Sequence, residues 1–424
     1  MRRLMKPRGA ATLAVVAGLT LAGCGSSTGL TDASGGTAGK CKGGTMKMSN
    51  GQTMCASAMN GDSSGTGSKT SSGSTGMAGM NVAGSSGAAT SVPEVNGIKP
   101  VPIQTLATSY WQGMEIQAQT RTPVEFIQFD GDKEQIVEPP KHASFHLMIM
   151  LMDRKTGEPM PYSSSVWATI TDSAGKVVYN SQQWAMISAY MGPHYGDNVP
   201  HLASGRYKLT VLIGPPESAR AREYRDVWLQ PHDVTMYFKW NAKTASASDV
   251  DRGKSSSSPG SMSSMSGMGS GVHPAVSVNG VKATPSHLIA TAYWQGMKIQ
   301  TRTATPTIFY MLGGGGIKQI DPTGSGVYMM VMLNDRHTGE AVTYAPVYAT
   351  VANAAGETVY RTRLQPTISA FLGPYYGNNI RLPGFGRYTL ALRIDPPHQA
   401  RHLEYQHVWL KPHVVVEHFS WSGD

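Results

Sequence analysis

The sequence predicts an all-β protein built of two tandem immunoglobulin-like antiparallel β-sandwich domains behind a leash that has no core of its own. Three observations carry this. An internal repeat returns its landmarks in the same order. Each copy is a series of short β-branched and aromatic runs separated by turn residues. No long stretch has helical periodicity.

The repeat is read directly from the residues. Ala107–Ile116, with Tyr110-Trp-Gln-Gly-Met114 at its centre, returns as Ala290–Ile299 with Tyr293-Trp-Gln-Gly-Met297. Gly192-Pro-His-Tyr-Gly-Asp-Asn-Val199 returns as Gly373-Pro-Tyr-Tyr-Gly-Asn-Asn-Ile380. Gly205-Arg-Tyr and Gly386-Arg-Tyr each lead to a proline pair, and Val227-Trp-Leu-Gln-Pro-His232 matches Val408-Trp-Leu-Lys-Pro-His413. His232 and His413 occur in both copies and are read as structural. Within the first copy, Phe145–Met152, Ser165–Thr171, Arg206–Ile213 and Val234–Trp240 are strand candidates, with turns at Lys155-Thr-Gly157 and Ser173-Ala-Gly175.

The rest of the 424 residues are not domain-like. Cys24–Glu94 and Thr244–Val272 hold no Phe, Trp or Tyr and are rich in Gly and Ser. Such segments cannot bury enough apolar surface to offset the entropy of ordering them. The expected organisation is a leader over 1–23, a leash over 24–94, a first sandwich over 95–243, a linker over 244–272 and a second sandwich over 273–424. Charged residues make up only 15%. The net charge of +9 includes Arg2, Arg3, Lys6 and Arg8 of the leader, and no Lys/Arg run occurs elsewhere. A nucleic-acid partner is therefore excluded.

Gly9–Leu21 is apolar but shorter than the roughly 20 residues a membrane span needs, and it ends in Leu21-Ala22-Gly23-Cys24. This resembles a bacterial lipobox. It implies an exported chain acylated at Cys24 and held to a membrane surface by lipid, palmitate included. Past Cys24 only Cys41 and Cys55 remain, both in the leash, so the folded repeats cannot build a thiolate site.

Methionine occurs 24 times, against 8 for Phe. Nine of these lie in the coreless segments: Met46, Met48, Met54, Met59, Met77, Met80, Met262, Met265 and Met268. Packing does not call for large apolar side chains there. Thioether sulfur is a soft ligand suited to Cu(I), so Met46, Met48 and Met54, with Cys41 and Cys55, are metal candidates. Cys41 and Cys55 are equally able to form a disulfide outside the cell. In the strand Phe145–Met152, alternation places Phe145, Leu147, Ile149 and Leu151 on one face and His146, Met148, Met150 and Met152 on the other. His146 and Met148 are the ligand candidates, and Met150 and Met152 are read as packing.

Met186-Ile-Ser-Ala-Tyr-Met-Gly-Pro-His-Tyr-Gly-Asp-Asn198, with Gly205-Arg-Tyr, Gly113-Met114-Glu115 and His146-Leu147, resembles the periplasmic iron-transport accessory family: copper-binding, immunoglobulin-like proteins associated with ferrous-iron permeases. The resemblance implies copper, as Cu(I) or Cu(II), with iron as a second candidate. It implies metal ligands at His146 and His194, an acidic residue at Glu115, and a methionine at Met186 or Met191, because the family position itself falls on Ile187. Met148 stands where the family has an acid and makes the site softer. The family's downstream His is missing from Glu217–Val227, whereas the second copy offers His398 and His402 in the matching stretch. The second copy has lost the other ligands: Tyr328, Tyr375 and Lys298 stand for His146, His194 and Glu115. The resemblance also implies dimerisation, so the tandem chain is expected to fold as a pseudo-dimer, or to form a homodimer, in which the second copy supplies a His to the first. The expected function is metal binding in iron transport without enzymatic activity; the alternative is a structural or adhesive surface lipoprotein whose methionines only pack.

Overall fold

The computed structural model describes residues 94–242 and 277–422, apart from 131–132, 314–315, 323 and 325, together with residues 45–47 and 53–55. Strands β1 (Thr45–Lys47) and β2 (Thr53–Cys55) form a short antiparallel hairpin. The first repeat contains β3 (Gln104–Trp111), β4 (Met114–Arg121), β5 (Phe126–Asp130), β6 (Lys133–Val137), β7 (Phe145–Asp153) and β8 (Val166–Asp172). It continues with β9 (Val177–Gln182), β10 (Trp184–Ser188), β11 (Gly192–Val199), β12 (Gly205–Ile213), β13 (Ala219–Arg220) and β14 (His232–Trp240). A small hairpin, β15 (Ser277–Val278) and β16 (Val281–Lys282), precedes the second repeat. There the same order returns as β17 (His287–Trp294), β18 (Met297–Ala304), β19 (Phe309–Gly313), β20 (Gly316–Ile320), β21 (Val327–Asp335) and β22 (Val347–Asn353). β23 (Thr358–Ser369), β24 (Gly373–Ile380), β25 (Gly386–Ile394), β26 (Ala400–His402) and β27 (His413–Trp421) complete it.

The chain is all-β, and each repeat is a sandwich. In the first, β14-β12-β8-β9 packs against a larger sheet ordered β3-β4-β7-β11-β10-β26-β5-β6. In the second, β23 runs on where β9 and β10 are separate, and so joins both sheets. Alternation along β14 turns Val234, Met236, Phe238 and Trp240 inward and leaves Tyr237 and Lys239 in water. β7 is buried on both faces. Phe145, Leu147, Ile149 and Leu151 fill the sandwich core with Ile116 and Val211, and His146, Met148 and Met150 face the other way.

The repeats exchange strands. β26 of the second repeat inserts between β10 and β5 of the first, parallel to β10 and antiparallel to β5. Reciprocally, β13 of the first inserts between β23 and β19 of the second. Among the described residues these insertions supply the two parallel pairings, and the other strand pairs are antiparallel. A buried arginine anchors each one. Arg401 donates to the carbonyls of Val408 (2.6 Å), Pro397 (3.2 Å) and Trp409 (3.4 Å), and lies over the Phe129 ring of the first repeat. Arg220 donates likewise to Val227, Pro216 and Trp228. The following turns latch across: Glu404 accepts from Ser188 Oγ and the Ala189 amide, and Glu223 from Ser369 Oγ and the Ala370 amide.

The repeated Trp-Gln-Gly and Val-Trp-Leu landmarks have a structural origin. Gln112 and Gln295 accept from the backbone amides of Trp228 and Trp409, both in left-handed backbone conformation. That conformation is costly for a bulky residue and persists because neighbouring groups hold it. His232 and His413 stack on Trp111 and Trp294.

Candidate metal centre

The exchanged strand carries His402 into the first repeat, where it meets His146 of β7 and His194 of β11. One nitrogen from each ring lies within 4.8 Å of the others. Ring centroids are 5.0 Å apart for His194 and His402, 5.4 Å for His146 and His402, and 6.3 Å for His146 and His194. β7 and β26 are three places apart in the sheet, about 14 Å if it were flat. The three side chains nevertheless meet across this span. Gly196 makes room: a Cβ there would sit 2.8 Å from His146 Nε2.

All three rings are almost fully buried, at 0–2% exposure. Burial lowers the pKa of each, since a charged imidazolium would be stripped of water. His194 falls to about 4, and His146 and His402 are lowered further by neighbouring imidazoles and by Arg121. The rings therefore stay neutral at pH 7, the form that binds metals.

Hydrogen bonds preset two of the tautomers. The amide and carbonyl of Val124 hold the Asn198 side chain with its Oδ1 as an acceptor. His146 Nδ1 contacts that oxygen at 3.3 Å, and His194 Nδ1 contacts the Gly192 carbonyl at 3.1 Å. Each Nδ1 thus donates, which leaves a lone pair on Nε2. His402 differs, because its Nδ1 faces the Arg121 guanidinium at 3.3 Å and can only accept there. Binding a metal through His402 Nε2 requires its proton to move to Nδ1 and the arginine contact to open. The Nε2 atoms of His146, His194 and His402 are all buried without a hydrogen-bond partner.

The other expected ligands divide. Met186 lies directly across from His194 on the neighbouring strand and packs with Phe126 and Ala400 beside the rings. Met148 is buried on the His146 face, opposite Gly196, and belongs to none of the apolar clusters. Met191 is buried in the turn before β11. Glu115 is not at the rings: it pairs with Met152, six residues along β4 from Arg121, which itself pairs with His146, so it lies about 20 Å down the strand. There it accepts from Gln117. His398 is exposed and does not belong to the cluster. Cys24, Cys41 and Met48 lie outside the described residues, and for Met46, Met54 and Cys55 only the backbone is described. Arg121 and Asn198 were not read from the sequence as site residues. An arginine beside a cation site runs against electrostatic expectation, and the only hint of Asn198 was its place in the repeated Gly-Pro-His motif.

At the corresponding place in the second repeat, Tyr328, Tyr375, Ala221 and Ala304 stand for His146, His194, His402 and Arg121. Among the described residues, the three histidines are the one cluster of His, Cys, Asp and Glu with metal-binding spacing.

Curated relatives include UPF0423 proteins of Brucella abortus and Brucella suis, each 30% identical over 113 residues. That match covers 25% of this chain and 58% of theirs, so the chain spans little more than half the length of these relatives. Similar solved structures include FetP of uropathogenic E. coli strain F11, at 21% identity and a TM-score of 0.28 over 33% of this chain and 97% of that one. Copper-reconstituted P19 of Campylobacter jejuni is similar at 18% identity and a TM-score of 0.28, over 32% of this chain and 97% of that one. The family described as Fe2+ transport protein matches residues 103–242 and 334–423, more than half of the sequence and parts of both repeats. The chain belongs to the Fe2+ transport protein family.

Proposed function

We propose that the protein is a copper-binding accessory of iron transport, with His146, His194 and His402 as the ligands and Met186, paired with His194 across the neighbouring strands, as a thioether ligand. Met148 is the second sulfur on the same face. The observation that carries this is the convergence of three buried imidazoles, each of whose Nε2 has no hydrogen-bond partner. Leaving such polar atoms unsatisfied costs about 1–3 kcal/mol each, a cost a bound metal removes. Imidazole with thioether suits copper, and sulfur favours Cu(I). Arg121 points the same way, because its charge repels a dication twice as strongly as a monocation.

Copper titration of the full chain in both oxidation states, against a competing chelator, tests the reading. Submicromolar binding is expected, tighter for Cu(I). Affinity should change less than threefold between pH 7.5 and 5.5, because protons do not compete for rings whose pKa values lie well below 6.5. A tenfold weakening at pH 5.5, or no binding at micromolar copper, would overturn it. The sign for folding is opposite in consequence. As pH falls below about 6.5 the unfolded chain takes up protons that the folded rings refuse, so stability drops, and the share due to His194 levels off at about pH 4, where that ring titrates.

The lipobox Leu21-Ala-Gly-Cys24 supports a membrane-anchored, extracytoplasmic location through an acylated Cys24, with a ferrous-iron permease as partner. Among the described residues no helix is long and apolar enough to cross a membrane. Cys24→Ala is expected to shift the protein from the membrane fraction to the soluble fraction or to leave the precursor unprocessed. Normal processing with unchanged membrane retention would refute the anchor.

A further inference from the structure

The second repeat keeps the cradle of the first but changes its chemistry. A Cβ at Gly377 would lie 2.5 Å from Tyr328 Oη and 2.8 Å from Tyr375 Cε2, so this glycine leaves room for the phenols as Gly196 does for His146. The Tyr328 and Tyr375 hydroxyls are 3.2 Å apart, on side chains 2% and 4% exposed. Asn379 is pinned by the backbone of Thr307 just as Asn198 is by Val124. Neutral nitrogen donors have become ionisable oxygen donors on the same strands.

The surroundings change in the matching direction. Glu404 interacts electrostatically with Arg121 in the first repeat. Its counterpart Glu223 lines a cavity together with Ala304, which stands where the first repeat has that arginine, and Ala221, which stands for His402; Glu223 interacts electrostatically with Tyr328 and Tyr375. These two alanines open a cavity of about 70 Å³ lined by Tyr328, Tyr375 and Glu223. A single water needs about 10–15 Å³ by the same measure, so an ion with several waters fits. The rest of the lining is largely apolar, with exposed Arg222 and Lys282 beside the opening.

We propose that Tyr328, Tyr375 and Glu223 form a second metal site, one for a hard trivalent cation, with ferric iron as its ligand. On binding, each phenol gives its proton to water. Two phenolates and one carboxylate then balance the three charges of the ion, and the assembly is neutral in a low-dielectric cavity. Burial opposes ionisation of a phenol, so a weak Lewis acid does not drive it and a strong one does. Oxygen donors select hard ions as imidazole and thioether select soft ones. Arg222 and Lys282 suit delivery of the ion as an anionic chelate. The inference is independent of the copper reading, since it uses none of the three histidines.

The test adds ferric nitrilotriacetate to the full chain and follows visible absorption. A phenolate-to-iron charge-transfer band should develop, saturating at one ion per chain. It should persist in His146→Ala/His194→Ala and disappear in Tyr328→Phe/Tyr375→Phe. The phenylalanines keep the rings and remove only the oxygens, and each single Tyr→Phe change should shift or weaken the band if the double variant folds poorly. Glu223→Gln should lower affinity at least tenfold, and excess zinc should not abolish the ferric band. Absence of the band in the wild-type chain, or a band unaffected by the Tyr→Phe changes, would overturn the proposal.

Discussion

Replacing His402 with Ala should weaken copper binding about 100-fold, roughly 2.7 kcal/mol, as much as replacing His146 or His194 in the other repeat. The expectation follows from the geometry: the three rings are equally buried and mutually close, and none has another partner for its Nε2. His398→Ala is the internal control. It lies only four residues away on the same excursion, but it is exposed and should leave affinity unchanged. Competition titration of the three single variants and the control decides the matter. A His402→Ala chain that binds as tightly as wild type would mean the centre belongs to the first repeat alone.

Arg401→Met should cost about 3–5 kcal/mol of folding stability, read as a shift in the urea midpoint. The guanidinium is fully buried and donates to three carbonyls, which a thioether would leave unsatisfied. It also loses its place over Phe129. Arg220→Met should cost a similar amount, because Arg220 anchors the reciprocal strand in the same way. The two variants should part in metal binding. Arg401 precedes His402, so its loss should also weaken copper binding measured on folded protein, whereas Arg220→Met should not. A loss below 1 kcal/mol in both would show that the arginines do not hold the exchange.

Much of this was legible in the sequence. The repeat was visible because its landmarks are residues with backbone duties: Gln112 and Gln295 holding strained tryptophans, and Gly196 and Gly377 clearing space over a strand. His402 was reached together with His398, because the first copy lacks the family's downstream histidine and the matching stretch of the second copy holds both. His398 could not be separated from it, since four residues in an irregular segment do not say which side chain turns inward. Glu115 was expected from the family resemblance alone, and pairing register sets it apart from the rings. It shares the His146 face, but distance along the strand depends on that register. The strand exchange that carries His402 was beyond reach, because β26 is three residues long and has no periodicity to recognise.

The exchange also sets an order in time. His146 and His402 are separated by more than half the chain, so the first repeat is made long before the strand that completes its sheet. Until then β10 and β5 lack their shared neighbour, and unpaired strand edges invite wrong pairings. Contacts this distant along the sequence form slowly. A chain halted after the first repeat holds two of the three imidazoles and an open slot. The three-imidazole centre therefore exists only in molecules synthesised nearly to their last strand.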